Sequence, residues 1–357
     1  MKKIIRTIFV TTLAMAMAIA ATACSSSKTA EPKQGQKQVL NIFTWEGYVP
    51  SEVVSDFEAA TGIQVNYSNF STNEEMLSKI QAQKGQYDII ICSDYIIDNM
   101  RSEGRILQEI DWSRLANAAN IDANYQGKYY DPDNKLTIPY ASACAILVYD
   151  TAKVDTPVTK YADLWNPALA DKLVLLDGDR DIIGLTLLKL GYSVNETDPA
   201  RLAEAKEELL ALKPNVAVFD ANTPHNALIN GDAVAGYMFG SQATAAMAEV
   251  STLDFAYAEE GMMQYIDNIV VPEGAPNPDS AYAFMDYILD GEVSAKISAL
   301  INYPNCNTAA KAFLPQEYLD NLTVNIPVEA LQKAQMIAPI GNAAVTYNEI
   351  WTEFKSH

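Results

Sequence analysis

Trp45, Glu46 and Tyr48 follow the apolar run "VLNIFT" and set two aromatic rings around a carboxylate where a strand should end. That composition suits a cation carrying methylenes. Carboxylates hold ammonium groups by charge-assisted hydrogen bonds worth roughly 1.5–3 kcal/mol each, and aromatic faces add about 0.5–2 kcal/mol of cation–π attraction. Taken alone, the same residues fit a packed corner of a core equally well. The pattern recurs, however. Ser93, Asp94 and Tyr95 follow "YDIIIC", Asp177, Asp179 and Asp181 follow "KLVLL", and Phe239 follows "AVAGYM". Tyr265 and Asp267 lie in "QYIDN", and Tyr303 lies in "NYPNCN". Almost no cation joins these groups, whereas a phosphate, sulfate or carboxylate ligand would want Arg, Lys or a helix N-terminus. Any one group has a bland explanation, such as a solvated turn at Asp177 to Asp181. Their joint recurrence at strand ends favours a site for a cationic, partly apolar ligand.

The alternation of elements explains why strand ends matter. "SEVVSDFEAATG" reads as a helix capped by Ser51, with Val53, Val54, Phe57 and Ala60 on its apolar face and Gly62 as its stop. The strands "IQVNYSNF" and "YDIIICS" alternate with the helices "TNEEMLSKIQAQKG" and "DYIIDNMRSEG", an order that implies a parallel sheet covered on both faces. A second α/β round runs from "KLVLLD" to "SQATAAMAEV". Between the rounds, "LTIPYASACAILVYD" is long enough to cross from one lobe to the other, with "FAYAEEGMMQYIDNIVVP" as the return. Mostly helices follow, "VEALQKAQMI" among them. In open α/β sheets ligands sit beyond the carboxyl ends of the strands, where the aromatic and acidic groups fall.

The N-terminus carries Lys2, Lys3 and Arg6, an apolar run to Ala23, and Cys24 after small residues. This reads as a secretory signal over 1–23, with Cys24 as the lipid-modified first residue of the mature chain, or as ordinary secretion with Cys24 left plain. Residues 24–38 bury nothing and form a tether. The remaining stretch of about 320 residues exceeds what single cores usually reach, so two lobes are expected. Loss of the signal's three cations moves the formal charge from -20 to -23, a surface that repels nucleic acid. Cys92, Cys144 and Cys306 are too few and too scattered for a disulfide framework, and free thiols are expected.

Catalysis is poorly supplied. The chain has no phosphate-binding Gly-rich loop, dinucleotide fingerprint, nucleophile elbow or paired-histidine zinc helix. Its two histidines are His225 and the terminal His357, so no metal site or histidine-assisted nucleophile is expected, and no cofactor. Carboxylate pairs of the glycosidase kind are too common in an acidic chain to carry weight. "DPDN" at 131–134 lacks the Gly and Glu of a calcium loop and reads as a tight turn.

From about Val39 to the C-terminus the chain resembles the spermidine/putrescine-binding proteins of polyamine ABC transporters. The resemblance is carried, in order, by "FTWEGYVP", "YDIIICSDYIIDNM", "YYDPDNKLTIPYA", "YADLWNP", "LLKLGYSVNETDP", "YIDNIVVP" and "NYPNCN". It implies a two-lobed type II binding-protein fold, α/β, closing on its ligand by a hinge of two crossing strands. The implied division is 39–143 with 268–305 as lobe 1, 144–267 as lobe 2, and 306–357 as a helical segment packed on lobe 2. By position, the resemblance makes Trp45 and Tyr48 aromatic walls, with Ser93 and Tyr95 near a terminal amine. Asp267 becomes the carboxylate for a central or near-terminal amine, Tyr303 the cover over the methylenes, and Phe239 and Tyr265 stand at tryptophan positions. Asp181 matches the acid for the distal amine, Gly178 falls where another acid is common, and Glu46 replaces a small hydroxyl residue. These departures leave spermidine against putrescine open. The implied protein is a monomeric, lipid-anchored, extracytoplasmic binding protein that delivers polyamines to a permease. Another cationic solute, or a sensory ectodomain on the same fold, remains as an alternative.

Overall fold

The computed structural model describes residues 38–104 and 106–356; the signal segment, Cys24 and nearly all of the tether lie outside them. In the first α/β round, β1 (Val39–Thr44), α1 (Ser51–Thr61), β2 (Gln64–Asn69), α2 (Asn73–Ala82), β3 (Ile89–Ser93) and α3 (Asp94–Glu103) follow the anticipated order. Val53 and Phe57 are the buried seam of α1, and Gly62 ends it at φ 73°. Two details differ from the sequence reading. Pro50 rather than Ser51 precedes the helix, its carbonyl accepting from the Val53 and Val54 amides, and Ala60 is exposed because the i, i+4 seam of Val53 and Phe57 already fills the contact with the sheet.

After a run of short 3₁₀ turns, β4 (Thr137–Asp150) is buried along all 14 residues. The second round comprises β5 (Leu173–Leu175), α4 (Asp179–Lys189), α5 (Pro199–Leu212), β6 (Val216–Phe219), α6 (His225–Asn230), β7 (Ala235–Phe239) and α7 (Gly240–Glu249). Then come β8 (Leu253–Ala256), β9 (Met263–Val270), α8 (Pro278–Ile288), α9 (Gly291–Ile301), α10 (Gln316–Asp320), α11 (Val328–Leu331), β10 (Gln335–Met336) and α12 (Ala343–Ser356).

The strand order is β2-β1-β3-β9-β4-β7-β5-β6, with β10 beside β9 and β8 beside β4. Two parallel blocks, β2-β1-β3 and β7-β5-β6, are joined by antiparallel β9 and β4. β4 pairs with β9 through Cys144 and with β7 from Ala145 onward, so it crosses from one block to the other. The anticipated return crossing is two strands, β8 and β9, separated by a turn at Gly261. "VEALQKAQMI" is not one helix: α11 ends at Leu331, and the Gln335 amide donates to the Met262 carbonyl as β10 joins β9. Close approach of the chain forces this, since a Cβ on Gly261 (φ +117°) would lie 2.5 Å from the Lys333 carbonyl oxygen.

Aliphatic cores lie on both faces of each block. Residues 306–357 divide between them: Ala310, Leu314 and Tyr318 pack with Ala295 of α9, whereas Tyr347, Ile350 and Phe354 of α12 join the core around α4 and α5.

Candidate ligand-binding site

Asp267 is the centre of the first cluster because the β3–β9 register places it opposite Ser93. The Ser93 hydroxyl donates to Oδ1 at 2.8 Å and the Tyr48 hydroxyl to Oδ2 at 2.5 Å. Tyr48 reaches it because the chain after β1 turns through Gly47 at φ 70°. Its ring meets those of Trp45 (5.3 Å), Tyr140 (5.3 Å) and Tyr303 (5.6 Å). Burial holds the Asp267 carboxyl above the usual carboxylate range, and the bonds from Tyr48 and Ser93 oppose that rise.

Tyr265 precedes Asp267 by two residues on β9 and therefore shares its face. Its ring packs edge-on against Phe239 at 5.4 Å, and its hydroxyl donates to Asp181. Asp181 is also raised by burial. It folds over the start of α4, where a Cβ on Gly178 would come 2.2 Å from its Oδ2, so an acid at 178 is incompatible with this placement. Burial, with the Asp267 charge adding to it, raises the Tyr303 hydroxyl beside the first cluster.

Other sequence candidates lie elsewhere. Asp177 is ion-paired with Lys355 of α12 at 2.6 Å, because α12 packs beside α4 and takes its charge outward. Asp179 accepts the Arg180 amide at the helix start. Glu46 is exposed and lies near the Tyr67 hydroxyl. The Tyr95 hydroxyl accepts from Asn73 and donates to Glu74. Asp94 is wholly buried, its carboxylate accepting the amides of Tyr95 (2.7 Å) and Ile266 (3.1 Å), so it fixes β9 beneath the site.

Burial, with the Asp267 charge adding to it, pushes the Asp94 carboxyl up to about 8. The folded protein therefore holds a proton there that the unfolded chain releases near 3.8, and stability is lost as pH rises between those values. Asp94→Asn removes the titration. Its melting temperature relative to wild type, followed by thermal denaturation, rises from pH 5 to about 8 and is level above.

Tyr140 was not singled out by sequence. Its hydroxyl donates to the Tyr48 carbonyl at 2.8 Å, and the register shift between Pro139 and Ala141 turns its ring toward Tyr48. Nothing in an unbroken buried strand signals that bulge. Among the described residues, no cluster of three or more His, Cys, Asp or Glu is arranged to hold a metal ion. Cys92, Cys144 and Cys306 are buried free thiols.

Two carboxylates on one aromatic-lined face, in a two-lobed frame, are a receptor's equipment, and the pattern of the bacterial extracellular solute-binding proteins matches residues 52–323. The chain belongs to that family. It is 34% identical over 319 residues to the spermidine/putrescine-binding periplasmic protein of Salmonella typhimurium, covering 89% of this chain and 91% of that one. It is 31% identical to spermidine/putrescine-binding periplasmic protein 1 of Haemophilus influenzae, covering 94% and 95%. Among solved structures, the spermidine/putrescine ABC transporter substrate-binding protein PotD of Streptococcus pneumoniae, in complex with calcium and HEPES, superposes with a TM-score of 0.83 at 31% identity, covering 89% and 99%. The resemblance read from the motifs and the two-lobed type II fold are thereby borne out. Relatives of this family are transporter substrate-binding proteins outside the cytoplasm, and among the described residues no helix is long and apolar enough to cross a membrane.

Proposed function

We propose that the protein captures spermidine or putrescine between its lobes and presents the closed form to an ABC permease. One observation carries this reading: Asp267, held by Tyr48 and Ser93, and Asp181, held by Tyr265, lie along one strand face walled by Trp45, Tyr303 and Phe239. Two acids on an aromatic-lined face suit ammonium groups joined by methylenes. Arg180, the nearby cation, turns away to the carbonyls of Val194 and Ala338.

In this reading Trp45, Tyr48, Tyr303, Phe239 and Tyr265 cover the methylenes, Asp267 holds one amine and Asp181 the distal one. Ser93, Tyr95 and Asp94 support the first carboxylate and its strand, while Asp177, Asp179 and Glu46 set the potential around the entrance. The division into 39–143 with 268–305 and 144–267 sets the two closing bodies, and 306–357 braces them. A signal over 1–23, a lipid on Cys24 and a tether over 24–38 would hold a monomer outside the cytoplasmic membrane. Catalysis has no part in it. The names of the relatives support the ligand class.

Calorimetry with spermidine and with putrescine at micromolar protein is expected to show one-to-one binding of at least one of them. Absence of heat with both would sink the reading.

A further inference from the structure

Behind the crossing strands lies a cavity of ≈550 Å³, within the range of small-molecule sites. Its floor is the far face of the hinge. In the β4–β9 register Ala141 pairs with Asp267 and Ala143 with Tyr265, so Ser142, Cys144 and Gln264 point the opposite way, into this cavity. The Gln264 amide donates to the Ser142 hydroxyl (3.3 Å), and that hydroxyl donates to the Tyr265 carbonyl (3.0 Å). The cavity floor and the aromatic wall of the ligand cleft are thus two sides of the same strands.

The walls come from both halves of the molecule. Leu314 and Tyr318 pack with α9, whereas Ile326 and Leu331 pack on the core that contains Met238 and Met262. The charge balance is opposite to that of the cleft. Lys128 and Lys311 line the cavity, and among the described residues neither side chain has an ion pair or hydrogen bond, while lysines elsewhere, such as Lys79, Lys189, Lys296 and Lys355, are held by carboxylates. Among the described residues the one carboxylate in the lining, Asp122, is turned to its own turn, accepting the Asn124 amide at 2.9 Å. Two free ammonium groups over an apolar wall and an amide–hydroxyl floor fit a carboxylate on an apolar body.

We propose that this hinge cavity binds a small amphipathic organic anion, held by Lys128 and Lys311, and that its occupancy favours the closed arrangement of the lobes. The cavity has this shape in the present arrangement of its two walls. An anion spanning both walls is bound best in that arrangement, so it tightens ligand binding in the cleft, and the effect is reciprocal. The coupling half rests on the polyamine reading; the binding half does not.

The probe is phenylbutyrate, with neutral phenylbutanol as its control, titrated by calorimetry into the whole protein. One-to-one binding of phenylbutyrate is expected, at least tenfold tighter than phenylbutanol. Lys128→Gln with Lys311→Gln should weaken it at least tenfold, and Val328→Trp, at an exposed lining position, should weaken it by filling the space. All three substitutions leave spermidine binding unchanged when the probe is absent. Saturating phenylbutyrate should tighten spermidine about fivefold. No binding at millimolar probe, binding undiminished in the lysine variant, or displacement of the probe by spermidine would overturn the site. An unchanged spermidine affinity at saturating probe would overturn the coupling. If spermidine never binds but phenylbutyrate does, the polyamine reading falls while the cavity site stands.

Discussion

Asp267→Asn is expected to weaken spermidine and putrescine binding by about two orders of magnitude, because truncating the charge of a buried, hydrogen-bonded ion pair costs about 3 kcal/mol. The shape barely changes. Tyr48 and Ser93 each carry a hydroxyl that can rotate, so one keeps donating to the amide oxygen and the other accepts from the new amide group. Folding therefore stays intact, and removal of a carboxylate whose ionised form is disfavoured by burial does not lower the melting temperature. The same group sets a pH dependence. The empty site holds its proton to a higher pH than an ordinary carboxylate, and an ammonium ligand requires the ionised form. Binding below the raised pKa expels that proton, so wild-type affinity falls as pH is lowered through it, by up to about tenfold per unit. The variant lacks this contribution. Calorimetry at neutral and at falling pH on both proteins checks it, and equal affinities for wild type and variant would remove Asp267 from the site.

Asp131→Ala is expected to act on stability instead. Its carboxylate, 3% exposed, accepts from the amides of Lys135 (2.9 Å), Leu136 (2.8 Å) and Thr137 (3.0 Å) and from the Thr137 hydroxyl (2.9 Å). These bonds fix the entry to β4, the strand that joins the two halves. Orphaning several buried donors at once should cost about 4 kcal/mol, since each bond to a charged acceptor is worth roughly 1.5–3 kcal/mol and the losses overlap. At a few degrees per kcal/mol the melting temperature drops by about 10 °C. Spermidine affinity at 25 °C changes little while the protein remains folded. A melting temperature within about 2 °C of wild type would contradict this account. The geometry also explains why "DPDN" makes a turn: the oxygens a cation would use are occupied by backbone donors.

The strand ends were legible because their logic is local. An apolar run that stops at "TWEGY" or "SDY" announces both a buried strand and the polar corner after it, whatever the rest of the chain does. The same holds for the helices of both rounds, whose 3.6-residue pattern needs only a sheet to pack on. Legibility failed where a distant segment competed. "VEALQKAQMI" has helical spacing, yet β9 offers Gln335 a ladder partner and Gly261 lets the backbone come close enough to take it. Tyr140 sits in a strand that reads as pure core, and a bulge turns it toward Tyr48. Among the three aspartates after "KLVLL", spacing could not separate Asp181, over the helix start beneath Tyr265, from Asp177, drawn outward by Lys355.

By itself the sequence determined the class of chemistry and the kind of frame: acids and aromatics at the carboxyl ends of alternating β and α segments, and too few histidines and glycine motifs for most catalysis. Those properties reside in residue type and short-range period, which survive without knowledge of partners. The tertiary structure alone decided which acids work together. The β3–β9 register set Ser93 opposite Asp267, and α12 claimed Asp177. The crossing of β4 also gave the hinge a second face, with Lys128 and Lys311 lining the cavity behind it. Each of these joins residues far apart along the chain, and such pairings are fixed by packing, which no local pattern encodes.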